Sequence, residues 1–294
     1  TQTTAEITRQ QTLLVELKQA ILQAAIQGKL TAQWRQANPI TEPASALLKR
    51  IKAEKATLVA AKKLRPEKPL PPITEAEKPF ELPQGWAWCR PLDVCETIVD
   101  CPHSTPAFVY SGRYCIDSTC INFEGQIDFA QIRRVTDDTF NTRNQRLIPT
   151  TGDIAYVREG LIGKAAIIPQ DIDVCLGQRV MLYRPARLTD STWLRYVVTS
   201  SFFLNEVLQR HKGMGAKHIN MVDLRSMPIP LPPLAEQTEI VRQVEALMQV
   251  CRALEAEVAQ ARHHAQQLWQ AVLQQAFAPT TTRDLAAQMG VAAS

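Results

Sequence analysis

The apolar positions of this chain fall into three regimes, and each predicts a different structure. Over 5–27, Ile7, Leu14, Leu17, Ile21 and Ala24 follow a three-four alternation, which predicts an amphipathic helix stopped by Gly28. A second helix is expected over 44–63, rich in Ala, Leu and Lys, with Thr41 as its cap and Pro43 in its first turn. From residue 86 to about 233 the pattern changes to short apolar runs. Those at 154–157, 165–168 and 180–183 read as strands; Gly125, Gly152, Gly160 and Gly177 mark turns around them. A helix is expected over 193–209, burying Leu194, Val197, Val198, Phe202 and Leu208. In the last regime Ile240, Val244, Leu247, Cys251, Leu254, Val258, Ala261, Ala265, Leu268 and Val272 keep an unbroken four-three alternation, the seam of a coiled coil. One helix over 234–277 would be roughly 66 Å long and not self-sufficient, so its seam is expected to meet another chain, a second copy or further sequence.

Prolines 66, 69, 71, 72, 79 and 83 break the pattern between the first two regimes, and a second group (228, 230, 232, 233) closes the middle one. The organisation read from this is a helical region (1–65), a proline-rich linker (66–85) serving as a domain boundary, a mixed domain (86–233), a long coiled-coil helix (234–278) and a tail (279–294). Mixed strands and helices in the middle give the fold class α+β. The two ends also repeat each other. Leu17-Lys-Gln-Ala-Ile-Leu-Gln-Ala-Ala-Ile26 aligns with Leu268-Trp-Gln-Ala-Val-Leu-Gln-Gln-Ala-Phe277 at six identical positions in ten, as expected of one unit in a tandem array. Residue 1 is not Met, and the chain is expected to be a piece of something longer.

Composition narrows the class. The 294 residues are 45% hydrophobic and 21% charged, the balance of a globular protein, and no run approaches the ~18 apolar residues of a membrane span. Seven cysteines in no disulfide spacing read as reduced thiols in a cytoplasm. The net charge of +4 is uneven: residues 1–79 carry +6, residues 80–233 are neutral and residues 234–294 carry −2. The neutral middle holds 13 Arg against 3 Lys, and arginine's planar fork suits guanine or phosphate. Pairing with the 16 carboxylates of that region is the plainer reading.

No phosphate loop, dinucleotide fingerprint, nucleophile elbow or paired Cys-x-x-Cys is present, so a free-standing enzyme is not expected. His103 beside Cys101, with Cys95 or Cys115, has no spacing of a zinc site, and no metal is expected. Two loops are candidates for contact with a partner: Arg158 to Lys164, and the glycine-softened stretch carrying Lys217, His218 and Asn220. Each also reads as an ordinary surface turn.

Several segments in fixed order resemble the specificity subunit of type I restriction-modification systems. They include Gly152-Asp-Ile-Ala-Tyr-Val-Arg-Glu-Gly160, Ile162-Gly-Lys-Ala-Ala-Ile-Ile-Pro169, Gly177-Gln-Arg-Val-Met-Leu-Tyr-Arg-Pro185, Lys217-His-Ile-Asn220 and Pro228-Ile-Pro-Leu-Pro-Pro-Leu-Ala-Glu-Gln237. Upstream, Gln27-Gly-Lys-Leu30 and Leu82-Pro-Gln-Gly-Trp-Ala-Trp88 resemble its conserved spacer. The resemblance implies a non-catalytic DNA reader with a target-recognition domain flanked by long helices that form an antiparallel coiled coil. It also implies docking of methyltransferase subunits, which hold S-adenosylmethionine, and through them a restriction and translocation subunit; no cofactor is expected in this chain. One recognition domain where the family has two leaves a half-subunit that dimerises through the 240–272 seam, or the C-terminal half of a full-length one. Within 86–233, base contacts are expected from Arg158, Lys164, Gln178, Arg179, Lys212, Lys217, His218 and Asn220, and phosphate contacts from Arg143 and Arg146. The competing reading is a coiled-coil scaffold whose neutral middle domain binds protein.

Overall fold

The computed structural model describes residues 2–210 and 219–277. Three helices come first: α1 (Gln2–Ile26), α2 (Ala32–Ala37) and α3 (Ala44–Ala60). The mixed region follows as β1 (Ala87–Cys89), α4 (Pro91–Val94), β2 (Cys95–Asp100), β3 (Arg113–Ile116), β4 (Arg133–Val135), α5 (Asp137–Arg143), β5 (Ile154–Val157), β6 (Ala165–Ile167), β7 (Val174–Leu176) and β8 (Val180–Pro185). It ends with α6 (Ser191–Thr199), α7 (Ser201–Gln209), α8 (Met221–Ser226) and β9 (Ile229–Leu231), and α9 (Leu234–Ala276) runs to the end of the described chain.

Contacts divide the chain into two compact units, Gln19–Ala246 and the two chain ends, Thr1–Lys18 with Leu247–Ser294. In the unit formed by the ends, Ile7, Leu14 and Cys251 are buried, and Lys18 Nζ lies 2.6 Å from Glu255 Oε1. This is the coiled-coil arm. Its seam is covered at Cys251 but open beyond it: Leu268 is 68% and Val272 54% exposed.

In the larger unit β2, β8, β5 and β6 form one sheet in that order, all antiparallel. A second sheet has β3 in its centre, antiparallel to β4 and parallel to β7. Alternation decides which faces meet: Ala155 and Val157 of β5 and Val180 and Leu182 of β8 share a core with Ile116, Val174 and Leu176 of the second sheet. β1 pairs with β9 in a separate ribbon, with Trp88 opposite Pro230. The closing prolines thus include a strand, at an edge that tolerates a missing N–H.

Three expectations change. The helix expected over 193–209 is two, because Ser200 adopts an extended conformation (ψ 151°) and its hydroxyl accepts the N–H of Phe203, capping α7. Thr41 caps nothing: α3 starts at Ala44, whose N–H donates to the Gly85 carbonyl at 2.8 Å. The segment 66–85 is extended as its prolines require, yet it does not separate two bodies. Arg90 donates to the Pro71 carbonyl at 3.0 Å, Arg225 pairs with Glu67 at 2.5 Å, and the Phe80 ring lies 5.0 Å from Trp88 and 5.6 Å from Phe202. It is a strap over the larger unit.

The start of α9 is fastened by two consecutive side chains. Glu236 is 1% exposed; its carboxylate accepts from Thr31 Oγ1 at 2.7 Å, from Trp86 Nε1 at 2.8 Å and from the Arg35 guanidinium. Gln237 donates to the Pro232 carbonyl and accepts the N–H of Asp190, whose carboxylate caps α6. Gly28 allows this approach. Its φ is +68°, and a Cβ there would lie 2.5 Å from Pro83 and 3.0 Å from Trp86.

Two outcomes follow for stability. Glu236→Ala leaves Arg35 and the Trp86 N–H buried without an acceptor and should cost about 3–5 kcal/mol, read as a lowered urea midpoint; Glu236→Gln should cost less. All seven cysteines are buried, and burial pushes the Cys120 thiol up to about 11. A thiol-reactive disulfide reagent should therefore label none of them rapidly in the native protein and all seven on unfolding. Fast labelling of Cys251 would mean that the arm does not close as described.

Candidate functional site

One end of the four-stranded sheet gathers most of the described candidate residues. The turn after β5 begins with Arg158, the loop between β7 and β8 carries Gln178 and Arg179, and the loop after β2 runs through Cys101 to Thr105. Arg158 is 2% exposed and faces inward. Its Nε and Nη2 grip the two oxygens of Asp100, each at 2.9 Å, and its Nη1 reaches the Ile219 carbonyl at 3.3 Å. The main chain closes the same junction, since Arg158 N–H donates to the Arg179 carbonyl and Ile219 N–H to the Arg158 carbonyl. His103 sits 3.3 Å from both Asp100 and Arg158, and no group of three or more metal-ligating side chains occurs among the described residues.

Arg143 also faces inward. From the last turn of α5 it donates to the carbonyls of Leu176, Ser104 and Pro102, the last two at 3.1 Å. Arg143 was expected at phosphate; its guanidinium holds the 102–104 loop against β7. Arg158, expected at a base edge, likewise positions a loop. A buried guanidinium needs all its N–H groups satisfied, and main-chain carbonyls meet that need.

The surface is made by their neighbours. Gln178 accepts from the Thr105 hydroxyl at 2.6 Å, Asn220 is exposed at the start of α8, and Arg146 is exposed beside the recess formed by Asp100, Pro102 and Arg143. Arg179 is exposed with a φ of +72°, a conformation unfavourable for a side chain with a Cβ. Gly177 just before it lies so close to β3 that a Cβ would stand 2.6 Å from that of Asp117. Of the thirteen arginines in residues 80–233, only Arg146, Arg179 and Arg187 lack a carboxylate, carbonyl or ring partner among the described residues. The plainer reading, pairing with carboxylates, holds for Arg90, Arg113, Arg133, Arg158, Arg184, Arg210 and Arg225, whereas Arg134, Arg143 and Arg195 turn to carbonyls or rings. Lys212, Lys217 and His218 lie outside the described residues.

Lys164 stands on the other side of the same turn. It is 9% exposed and its Nζ sits 5.0 Å from the centre of the Phe123 ring. Phe123 belongs to a tight hairpin over 120–128, closed by the Ile121–Ile127 bridge and by Gln126 N–H donating to Asn122 Oδ1 at 2.8 Å. Asp100 and Thr105 were not singled out from sequence, His103 was weighed only as a metal ligand, and of this hairpin only the turn at Gly125 was marked. The Asn and Gly of the hairpin turn between Ile121 and Ile127 were its available signal; nothing local marks Asp100, whose partner is 58 residues away.

Comparison with known proteins places the chain in a family. A family model described as the type I restriction modification DNA specificity domain matches residues 108–261. The chain is 33% identical over 243 residues to the EcoAI specificity subunit of Escherichia coli, covering 81% of this chain and 40% of that protein. It is 30% identical over 264 residues to the EcoEI specificity subunit of the same organism, covering 84% and 42%. Among solved structures, the HsdS subunit of Thermoanaerobacter tengcongensis aligns over 92% of this chain and 59% of its own, with 21% identity and a TM-score of 0.48. The chain spans about two-fifths of the length of the curated relatives it matches, 40% and 42%. With the family model covering more than half of its residues, the chain belongs to the family of type I restriction-modification specificity subunits.

Proposed function

We propose that this chain is a DNA-recognition subunit of a type I restriction-modification complex, reading one half of a split DNA sequence and performing no chemistry itself. The observation that carries this reading is the junction at the end of the four-stranded sheet. Two inward arginines fix the loops there, and the exposed Arg146, Arg179 and Asn220 stand around them with the half-buried Gln178. Arginine and amide side chains on rigidly held loops suit major-groove readout, where bidentate contacts discriminate bases by ~1–3 kcal/mol each. Family membership favours it over the protein-binding scaffold. Lys217 and His218 of the glycine-softened loop, with Lys212 just before it, are kept as expected contacts from their place in the sequence.

The partners belong to this proposal as well. Methyltransferase subunits would dock on the helical arm, bring S-adenosylmethionine with them and connect to the restriction subunit. Unpaired cysteines suit a reducing cytoplasm, and no described helix is long and apolar enough to cross a membrane. The open seam at Leu268 and Val272 favours a second chain alongside α9.

Two measurements test the reading. In the complex with its methyltransferase subunits, the wild-type chain should enrich a defined sequence from a random duplex library. Arg179→Ala should weaken binding to that sequence about tenfold or more with unchanged stability, whereas Arg158→Ala should lower stability by about 3 kcal/mol. Absence of any enriched sequence would refute DNA reading. For the seam, solution mass across a dilution series should fall from twice 32.9 kDa toward the monomer; a monomer at every concentration removes self-pairing.

A further inference from the structure

Lys164 is the point of departure. Lys164 is 9% exposed as a whole residue; among the described residues no carboxylate or carbonyl meets its ammonium, which stands beside the Phe123 ring. An ammonium without an acceptor from the protein can offer its N–H groups to a ligand. The side chain opens into a cleft of about 460 Å³ between the β5–β6 turn and the 120–128 hairpin. The cleft also presents Gln126, Asp128 and Gln131, over an apolar floor that includes Ile121 and Ile127. Its polar groups are mixed: one cation, one carboxylate and amides that both donate and accept. A phosphate wants donors only. A base edge with acceptors beside a donor wants this mixture.

We propose that this cleft reads a guanine–cytosine pair through its major-groove edge, which rests on the DNA-reading function proposed above. Lys164 donates to guanine O6 or N7, and Asp128 accepts from the cytosine N4 amino group, the pairings those edges favour. Gln126 and Gln131 are the flanking donors and acceptors. The hairpin is rigid enough for the task. Asn122 and Gln126 are joined through both main chain and side chain, and the turn packs so closely that a Cβ on Gly125 would lie 2.2 Å from the Arg195 guanidinium. Because Lys164 closes the turn that Arg158 opens, the cleft adjoins the Arg179 surface, and the two would address neighbouring base pairs.

The test uses the complex and the sequence enriched by the wild-type chain. Lys164→Gln should relax one position of that sequence from G·C to any base, with a loss of roughly five- to hundredfold on the original duplex. Replacing that guanine by 7-deazaguanine should weaken wild-type binding and leave the variant unaffected. Asp128→Asn, an exposed change that keeps an oxygen for the Ala130 N–H, should relax the same position and keeps the test open should Lys164→Gln not fold. An unchanged base preference with the salt slope flattened by about one unit would mean a phosphate contact and overturn the assignment. Unchanged affinity in both variants would overturn it too. If the wild-type chain enriches nothing, the broader DNA-reading proposal fails first, and the two failures are distinguishable.

Discussion

The carboxylate of Glu236 is the constraint on which the larger unit depends. A buried anion is tolerated only when its lone pairs are answered, and here the answers come from Thr31 and Arg35, one turn apart, and from Trp86, some fifty residues further on. A helix crossing, the end of the proline strap and the start of α9 are therefore set by one side chain. Its neighbour Gln237 extends the constraint to Asp190 and so to α6. Apolar packing could hold these parts together in several ways. The charge and its three donors select one of them.

Arginine plays the same part inside the recognition region. Arg143 and Arg158 lie where three loops meet, and neither is available to a partner in this structure. The region is neutral because 16 carboxylates balance its 13 arginines and 3 lysines. The carboxylates of Asp100, Asp117 and Asp153 hold Arg158, Arg133 and Arg184, and seven of the other ten guanidinium groups find carboxylates, carbonyls or rings. Little positive charge remains for the surface.

Much of the fold was legible in sequence where periodicity was long. α1 and α9 came from unbroken apolar alternation, and β5 from a fully buried run, because in each case local pattern and tertiary burial agree. The short strands β1, β3, β4, β7 and β9 carry too few residues for a period to show, and Pro230 argued against β9 altogether. Ser200 divides a continuous helical pattern through one hydroxyl, a signal outweighed by the apolar residues around it. At the site, the loops were legible and the orientation of their side chains was not. Arg158 and Arg179 look alike in sequence; their difference depends on Asp100 and on a positive φ.

The grip of Arg143 and Arg158 has one more consequence. Besides the side chains of Asp100, Glu159 and His103, the groups they hold include main-chain carbonyls, at Pro102, Ser104, Leu176 and Ile219. A carbonyl is the same whichever side chain its residue bears. The loops can thus exchange their outward residues without loosening their attachment. A protein whose task is to distinguish one sequence from another gains from this the capacity to change its target by substitution at the surface, on a frame that does not need to be rebuilt.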